Sequence, residues 1–326
     1  MSKPRIVIAT LLVLGTALWS LTPAKLQPAS ASVVLPDDLD TWLDQSERQA
    51  TERYGLVPET DKRIRWFRER AQTPFSIVYL HGFSATRQET APLAEVVAEL
   101  LGANLFETRL RGHGRERDEL GEVRAEDWLN DAIEALAIGA KLGKRVVVIG
   151  TSTGATLAAA MLGHPAMHVV DTIVMLSPNF APRDPAAAWL TRPAGPLLAR
   201  ILVGETRSWE PYNERQGLYW STTYPIGAAV EMMRLVDLAN RKLPADVAQR
   251  LLMFYSTDDS VISPEAALEV LERSAAPQKA IIRIEDPGDP SHHILAGDVL
   301  SPQKTQRIAN DIAAFILRPS PSVAPE

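Results

Sequence analysis

Short apolar runs alternate with amphipathic stretches along most of the chain. The runs Ser76–Leu80, Asn104–Glu107, Arg145–Ile149, Thr172–Leu176, Leu251–Tyr255 and Ala280–Ile284 are rich in β-branched residues and mostly lack polar alternation. A strand covered on both faces reads this way, because neither side of it meets water. Between them, Pro92–Leu101, Ala125–Leu142, Ala155–Leu162, Pro264–Ser274 and Pro302–Leu317 carry apolar residues at helical spacing, and an earlier helix is expected from Asp38 to about Tyr54. Strands alternating with helices predict an α/β fold, with a mostly parallel central sheet and helices on both faces.

Two stretches break this rhythm. In residues 1–31, Lys3 and Arg5 precede an apolar run from Ile6 to Leu21, and Ala29-Ser30-Ala31 offers a small-x-small cleavage site. The run is long for a signal-peptide core of roughly 7–15 residues and short for a membrane span of about 20. A cleaved signal peptide and a retained N-terminal membrane anchor are both compatible with it. Either places the chain after Leu21 outside the cytoplasm, periplasmic or secreted, because the positive flank stays inside. The second exception, residues 181–240, has no strand–helix pair but gathers Trp189, Trp209, Tyr212, Tyr219, Trp220 and Tyr224, and closes on an apolar helix from Ile226 to Leu238 with Met232 and Met233. An aromatic, Met-rich insertion between two sheet strands reads as a mainly helical cap over a pocket; the plainer alternative is a private core. The remaining boundaries are then an N-terminal extension at 32–72, a core at 73–180 and 241–318, and a tail at 319–326.

Composition removes several classes of function. The 326 residues are 46% hydrophobic and 23% charged, as in an ordinary globular protein, and 40 acidic against 34 basic residues leave a net charge of −6. No positive excess exists to hold a phosphate backbone, so no nucleic-acid partner is expected. With no cysteine, disulfides, thiolate metal sites, iron–sulfur clusters and a cysteine nucleophile are excluded. His113, His164 and His168 lack H-E-x-x-H spacing or an accompanying carboxylate cluster, and Gly112-His113-Gly114 lacks a dinucleotide fingerprint. Neither metal nor other cofactor is expected, and nothing in the sequence bears on oligomeric state.

The chemistry concentrates at Gly150-Thr151-Ser152-Thr153-Gly154, directly after a buried strand and directly before a helix. G-x-S-x-G in this context is a sharp turn that lifts the serine hydroxyl above a helix N-terminus, where developing negative charge is favoured. A serine nucleophile needs a base, and the base needs a carboxylate to orient it, in the chain order Ser, Asp or Glu, His. Downstream, Asp258 and Asp259 follow the strand Leu251–Tyr255, while His292 and His293 follow the strand ending near Ile284. Asp259 and His293 are the preferred members of each pair, with Asp258 read as a solvated or turn-capping residue. His81-Gly82-Phe83 opens the loop after the first core strand. Such a loop supplies one backbone N–H of an oxyanion hole and the residue after the nucleophile supplies the other, which predicts Phe83 and Thr153 as donors and His81 as a structural residue.

Taken together, HGF at 81–83, RLRGHG at 109–114, GTSTG at 150–154, DDSVISP at 258–264 and SHHILAGD at 291–298 resemble the α/β-hydrolase superfamily over roughly residues 73–318. The set is most similar to its branch of carboxylesterases, monoacylglycerol lipases and serine-aminopeptidase-like hydrolases. The resemblance implies Ser152, Asp259 and His293 as a catalytic triad, Phe83 as an oxyanion donor, and a cap after the nucleophile. It further implies hydrolysis of a small acyl ester, with acyl transfer, peptidase activity or non-catalytic binding as the alternatives on the same scaffold. Many lipases carry His or Asp where this chain has Thr151, which leaves the substrate branch open.

Overall fold

In the computed structural model, residues 22–27, 33–116, 120–243 and 247–319 are described. Apart from residues 22–27, the expected targeting segment lies outside them, as does most of the tail. Among the described residues the strands are β1 (Arg63–Arg65), β2 (Thr73–Leu80), β3 (Asn104–Glu107), β4 (Gly143–Thr151), β5 (Val170–Leu176), β6 (Thr206–Ser208), β7 (Thr223–Pro225), β8 (Arg250–Tyr255) and β9 (Lys279–Arg283). The helices are α1 (Leu39–Tyr54), α2 (Leu93–Leu101), α3 (Ala125–Leu142), α4 (Thr153–Ala160), α5 (Gly195–Val203), α6 (Glu214–Tyr219), α7 (Ile226–Lys242), α8 (Pro264–Glu272) and α9 (Thr305–Leu317).

Seven strands make one sheet in the order β1-β3-β2-β4-β5-β8-β9, parallel throughout except for β1, which runs antiparallel to β3 at the edge. Side chains alternate across its plane. Ile77 and Tyr79 of β2 pack with Leu93 and Val97 of α2 and Ile308 and Ile312 of α9. Val78 and Leu80 pack on the other face with Trp128 and Ile133 of α3 and Leu157 of α4. Each such aliphatic side chain, fully removed from water, stabilises the fold by about 1.5–3 kcal/mol. Apolar residues on both faces are what made the strands read as unbroken runs.

Most elements fall within two or three residues of the sequence expectation. The helix expected at 155–162 starts two residues earlier, at Thr153, because it springs directly from the serine turn. The last helix is preceded by a separate 3-10 turn, Pro302–Lys304, and β9 ends at Arg283 rather than Ile284. Inside the stretch read as an N-terminal extension, β1 joins the sheet through Arg63, which ion-pairs with Glu107 of β3 and Glu95 of α2. Three residues with two charges carry no readable period. Between β5 and β8 the chain forms α5, α6 and α7 plus a short antiparallel β6–β7 pair that the apolar pattern does not announce.

The order of strands also places the site. From β2 the chain crosses to β3 on one side and then to β4 on the other, so the loops after β2 and β4 diverge at the carboxyl edge. In open α/β sheets ligands bind at the carboxyl edge where such a reversal occurs.

Candidate active site

At that edge, Ser152 links β4 to α4 with φ 51° and ψ −115°. A non-glycine residue in this region costs on the order of 1–3 kcal/mol and persists only when its surroundings impose it. Here the Ser152 N–H donates to Leu176 O at 2.8 Å, and its carbonyl accepts from Asn179 N at 3.3 Å. A Cβ at Gly150 would stand 2.6 Å from Ala155 N, and one at Gly154 would collide with the Leu80 carbonyl. Both flanking glycines are therefore needed for the turn to close against β2 and α4, as the motif required.

The carboxylate and imidazole arrive on two neighbouring loops. Asp259, 1% exposed, accepts the Nδ1–H of His293 on Oδ2 at 2.8 Å, while its Oδ1 accepts from Val261 N and Ile262 N at 2.8 and 2.9 Å. That bond assigns the tautomer: a carboxylate only accepts, so the proton lies on Nδ1 and Nε2 is free to take another. The loops are tied together by Ser260 N donating to Ser291 O at 3.0 Å. Asp258 is exposed. His292 has φ 55° and a buried Nδ1 with no hydrogen-bond partner among the described residues. Burial alone would lower the His293 pKa. The charge and hydrogen bond of Asp259, with the Asp289 carboxylate behind them, outweigh it and raise the imidazole above its ordinary value. No hydrogen bond joins the Ser152 hydroxyl to His293 among the described residues. Such bonds are often long before substrate arrives and tighten in the complex.

The loop after β2 is clamped from three sides. His81 Nδ1 donates to Gly82 O at 2.9 Å while its Nε2 accepts from Leu110 N at 2.9 Å. His113 Nε2 accepts from Ser84 N at 3.1 Å, and Glu89 accepts from Gly82 N at 2.6 Å. Burial drives His81 down to about 4 and His113 well below its ordinary value, so both remain neutral near pH 7 and each can accept on one nitrogen. Neither the Phe83 nor the Thr153 N–H donates to a protein acceptor among the described residues. From the insertion, Ser221 N donates to Ser84 O at 2.7 Å and the Tyr224 ring meets Phe83 edge-on at 5.0 Å. Tyr219, Trp220 and Tyr224 are buried, whereas Trp189 and Tyr212 are exposed.

Several groups around these residues were not anticipated. Buried Asp289 accepts from Ser291 N, His293 N and Ile294 N at 3.1, 3.0 and 2.8 Å and so shapes the histidine loop. Tyr79 reaches Glu89 and Thr151 through its hydroxyl, giving Thr151 a buried partner. Loop carboxylates and lone hydroxyls have no periodicity, so only contact geometry finds them.

A mostly parallel sheet with helices on both faces, a strained serine turn after β4, and an Asp–His pair on the loops after β8 and β9 make up the α/β-hydrolase fold. Solved structures agree: that of the metagenome-derived lipolytic enzymes LipS and LipT superposes with a TM-score of 0.66 at 18% identity, over 80% of this chain and 98% of that one. A monoacylglycerol lipase from Paleococcus ferrophilus gives 0.58 at 14% identity, over 78% and 97%. The sequence profile of the Alpha/beta hydrolase family matches residues 77–301, and the chain belongs to that family. It is also 26% identical over 235 residues to the thermostable monoacylglycerol lipase of Bacillus sp. (strain H-257), covering 72% of this chain and 88% of that protein.

Proposed function

We propose that the protein is a serine hydrolase of carboxylic esters, acting on monoacylglycerol-type or similar acyl esters through Ser152, His293 and Asp259. Ser152 Oγ attacks the acyl carbonyl as His293 Nε2 takes its proton, and Asp259 stabilises the imidazolium. The Phe83 and Thr153 N–H groups receive the oxyanion. His293 then returns the proton to the departing alcohol, and water releases the acyl group by the same steps in reverse roles.

The observation that carries this reading is the 2.8 Å bond from His293 Nδ1 to Asp259, which makes Nε2 the free acceptor of the neutral ring at the edge that bears the strained Ser152 turn. Two backbone donors without protein acceptors flank the same turn, and removing one such donor typically costs about 100–1000-fold in turnover. The ester class is supported by the 26% identity to a monoacylglycerol lipase and by the aromatic lining the insertion brings to Phe83.

Labelling with a fluorophosphonate probe tests the nucleophile, because only an activated serine reacts. Wild type is expected to label and Ser152→Ala to be silent. Hydrolysis of p-nitrophenyl esters of increasing chain length, compared with aminoacyl amides, then sorts esterase from peptidase. An unlabelled wild-type protein, or a fully active Ser152→Ala variant, would overturn the proposal.

A further inference from the structure

Glu89 is a buried carboxyl at the edge of the site with no assigned part in the chemistry. It ends the 3-10 turn Arg87–Glu89 and is 1% exposed. Its Oε1 accepts both the Gly82 N–H at 2.6 Å and the Tyr79 hydroxyl at 2.8 Å. The Tyr79 oxygen in turn accepts from Thr90 Oγ1 at 2.7 Å and lies 3.1 Å from Thr151 Oγ1. A polar chain thus joins the oxyanion loop to the residue preceding the nucleophile. Among the described residues Oε2 has no hydrogen-bond partner. A Cβ placed on Gly82 would stand 2.9 Å from this oxygen and 3.3 Å from Ser152 Cβ, so the two atoms can be no farther apart than the sum of those distances.

Among the described residues no lysine or arginine pairs with it. Arg87, on the same turn, is directed to Asp61 and Glu107. Tyr79 faces Glu89 from β2, and His293 faces it from the loop after β9. Asp298, whose N–H donates to Ala91 O beside the turn, is exposed. Burial pushes Glu89 up to about 8, only partly opposed by the Tyr79 and Gly82 hydrogen bonds and by His293. At neutral pH the group is mostly the acid, and because Oε1 already accepts two donors the proton belongs on Oε2.

We infer that Glu89 is a positioning residue: it fixes the Gly82 peptide that presents the Phe83 N–H, and a negative charge on its carboxyl, this close to Ser152, suppresses turnover. This rests on the ester-hydrolase reading above. Oε1 can hold the Gly82 N–H in either protonation state, so the loop stays in place as pH rises. What changes is charge. A carboxylate this close to Ser152 repels the oxyanion that forms between Phe83 and Thr153.

The test is the pH profile of kcat and KM for a p-nitrophenyl ester. Wild-type kcat is expected to fall about tenfold or more as pH rises through about 8, with KM little changed. Glu89→Gln keeps the acceptor and cannot ionise. Its kcat is expected to be several-fold lower at pH 7 and then flat through the range where wild type declines. Tyr79→Phe removes a hydrogen bond that favours the charged form, so the alkaline limb should move to higher pH; this variant decides the matter if Glu89→Gln fails to fold. Thermal stability gives a readout independent of turnover. An unfolded glutamate ionises near 4.5 and the native one near 8, so native wild type holds the extra proton and loses stability as pH rises between them. The melting temperature of Glu89→Gln relative to wild type should therefore climb from pH 5 to pH 8. A Glu89→Gln enzyme that retains the wild-type alkaline fall, or a stability difference flat over that range, would overturn the inference while serine labelling stood. Failure of wild type to label would sink the hydrolase reading and this one with it.

Discussion

Ser177, the first residue past β5, donates its hydroxyl to the backbone carbonyl of His293 at 2.7 Å, across 116 positions of sequence. Its own N–H donates to Phe254 O, so the hydroxyl is carried by the sheet rather than by a loop. The bond restrains the histidine from its backbone side while Asp259 restrains the ring. Ser177→Ala leaves a buried carbonyl unpaired, which costs about 1–3 kcal/mol. We expect a lower unfolding midpoint in urea and a drop of about tenfold in kcat, with the serine still labelled by fluorophosphonate. Wild-type kcat in a destabilised Ser177→Ala protein would mean the bond serves stability alone.

Two adjacent carboxylates should separate cleanly. Asp259→Asn leaves the shape of the pair but can donate to Nδ1, turning the imidazole to the wrong tautomer, and turnover should fall on the order of 10,000-fold. Asp258→Asn alters an exposed side chain, and esterase rates within about twofold of wild type are expected. The acid limb carries a second signature. Because His293 titrates above its ordinary 6.5, wild-type kcat/KM should begin to fall above that pH as acid is added. Loss of the Asp259 charge should move the limb of the residual activity to lower pH. Equal loss in both variants would refute the pairing.

Acid should loosen the oxyanion loop. His81 and His113 are buried as neutral rings, with His81 held to about 4 in the native state against 6.5 unfolded. Between those values the unfolded chain binds more protons than the native one, so stability is fully present above pH 6.5 and is lost as pH falls toward 4. Each such group contributes at most about 1.4 kcal/mol per pH unit in that window. Urea midpoints should therefore decline from pH 6.5 to 4, and His113→Asn, though less stable throughout, should decline less steeply. Parallel slopes would show that other groups govern acid unfolding.

The parts legible from sequence were those that obey a period or a spacing. Helix Ala125–Leu142 matched to the residue because its apolar stripe repeats over five turns, and Gly150 to Gly154 declared a turn because its neighbours leave no room for a Cβ. The choice between His292 and His293 is made by which ring reaches Asp259 across 34 positions of sequence, which residue order does not encode. Glu89 and Ser177 were invisible for a related reason. Each bonds a backbone atom on another segment, the Gly82 N–H for Glu89 and the His293 carbonyl for Ser177, and any residue type presents such atoms. β1 escaped because a three-residue edge strand with a single apolar residue, Ile64, between two arginines is too short to show a period.

Glycine substitutions can test whether the nucleophile turn is imposed by packing. Gly154 sits so close to β2 that a methyl group would collide with the Leu80 carbonyl and stand 2.7 Å from His81 O. Those atoms belong to the sheet backbone and to the loop carrying Phe83, so relief requires moving one of them. Gly154→Ala should cost about 3 kcal/mol and weaken fluorophosphonate labelling, since any relaxation displaces Ser152 from its donors. Gly227 in α7 provides the control, because a Cβ there meets nothing within 4 Å. Gly227→Ala removes backbone freedom from a helix and should be neutral or stabilising by up to about 1 kcal/mol, with unchanged labelling. A soluble Gly154→Ala variant as stable and as reactive as wild type would show that the strain at Ser152 is not held by the contact between α4 and β2.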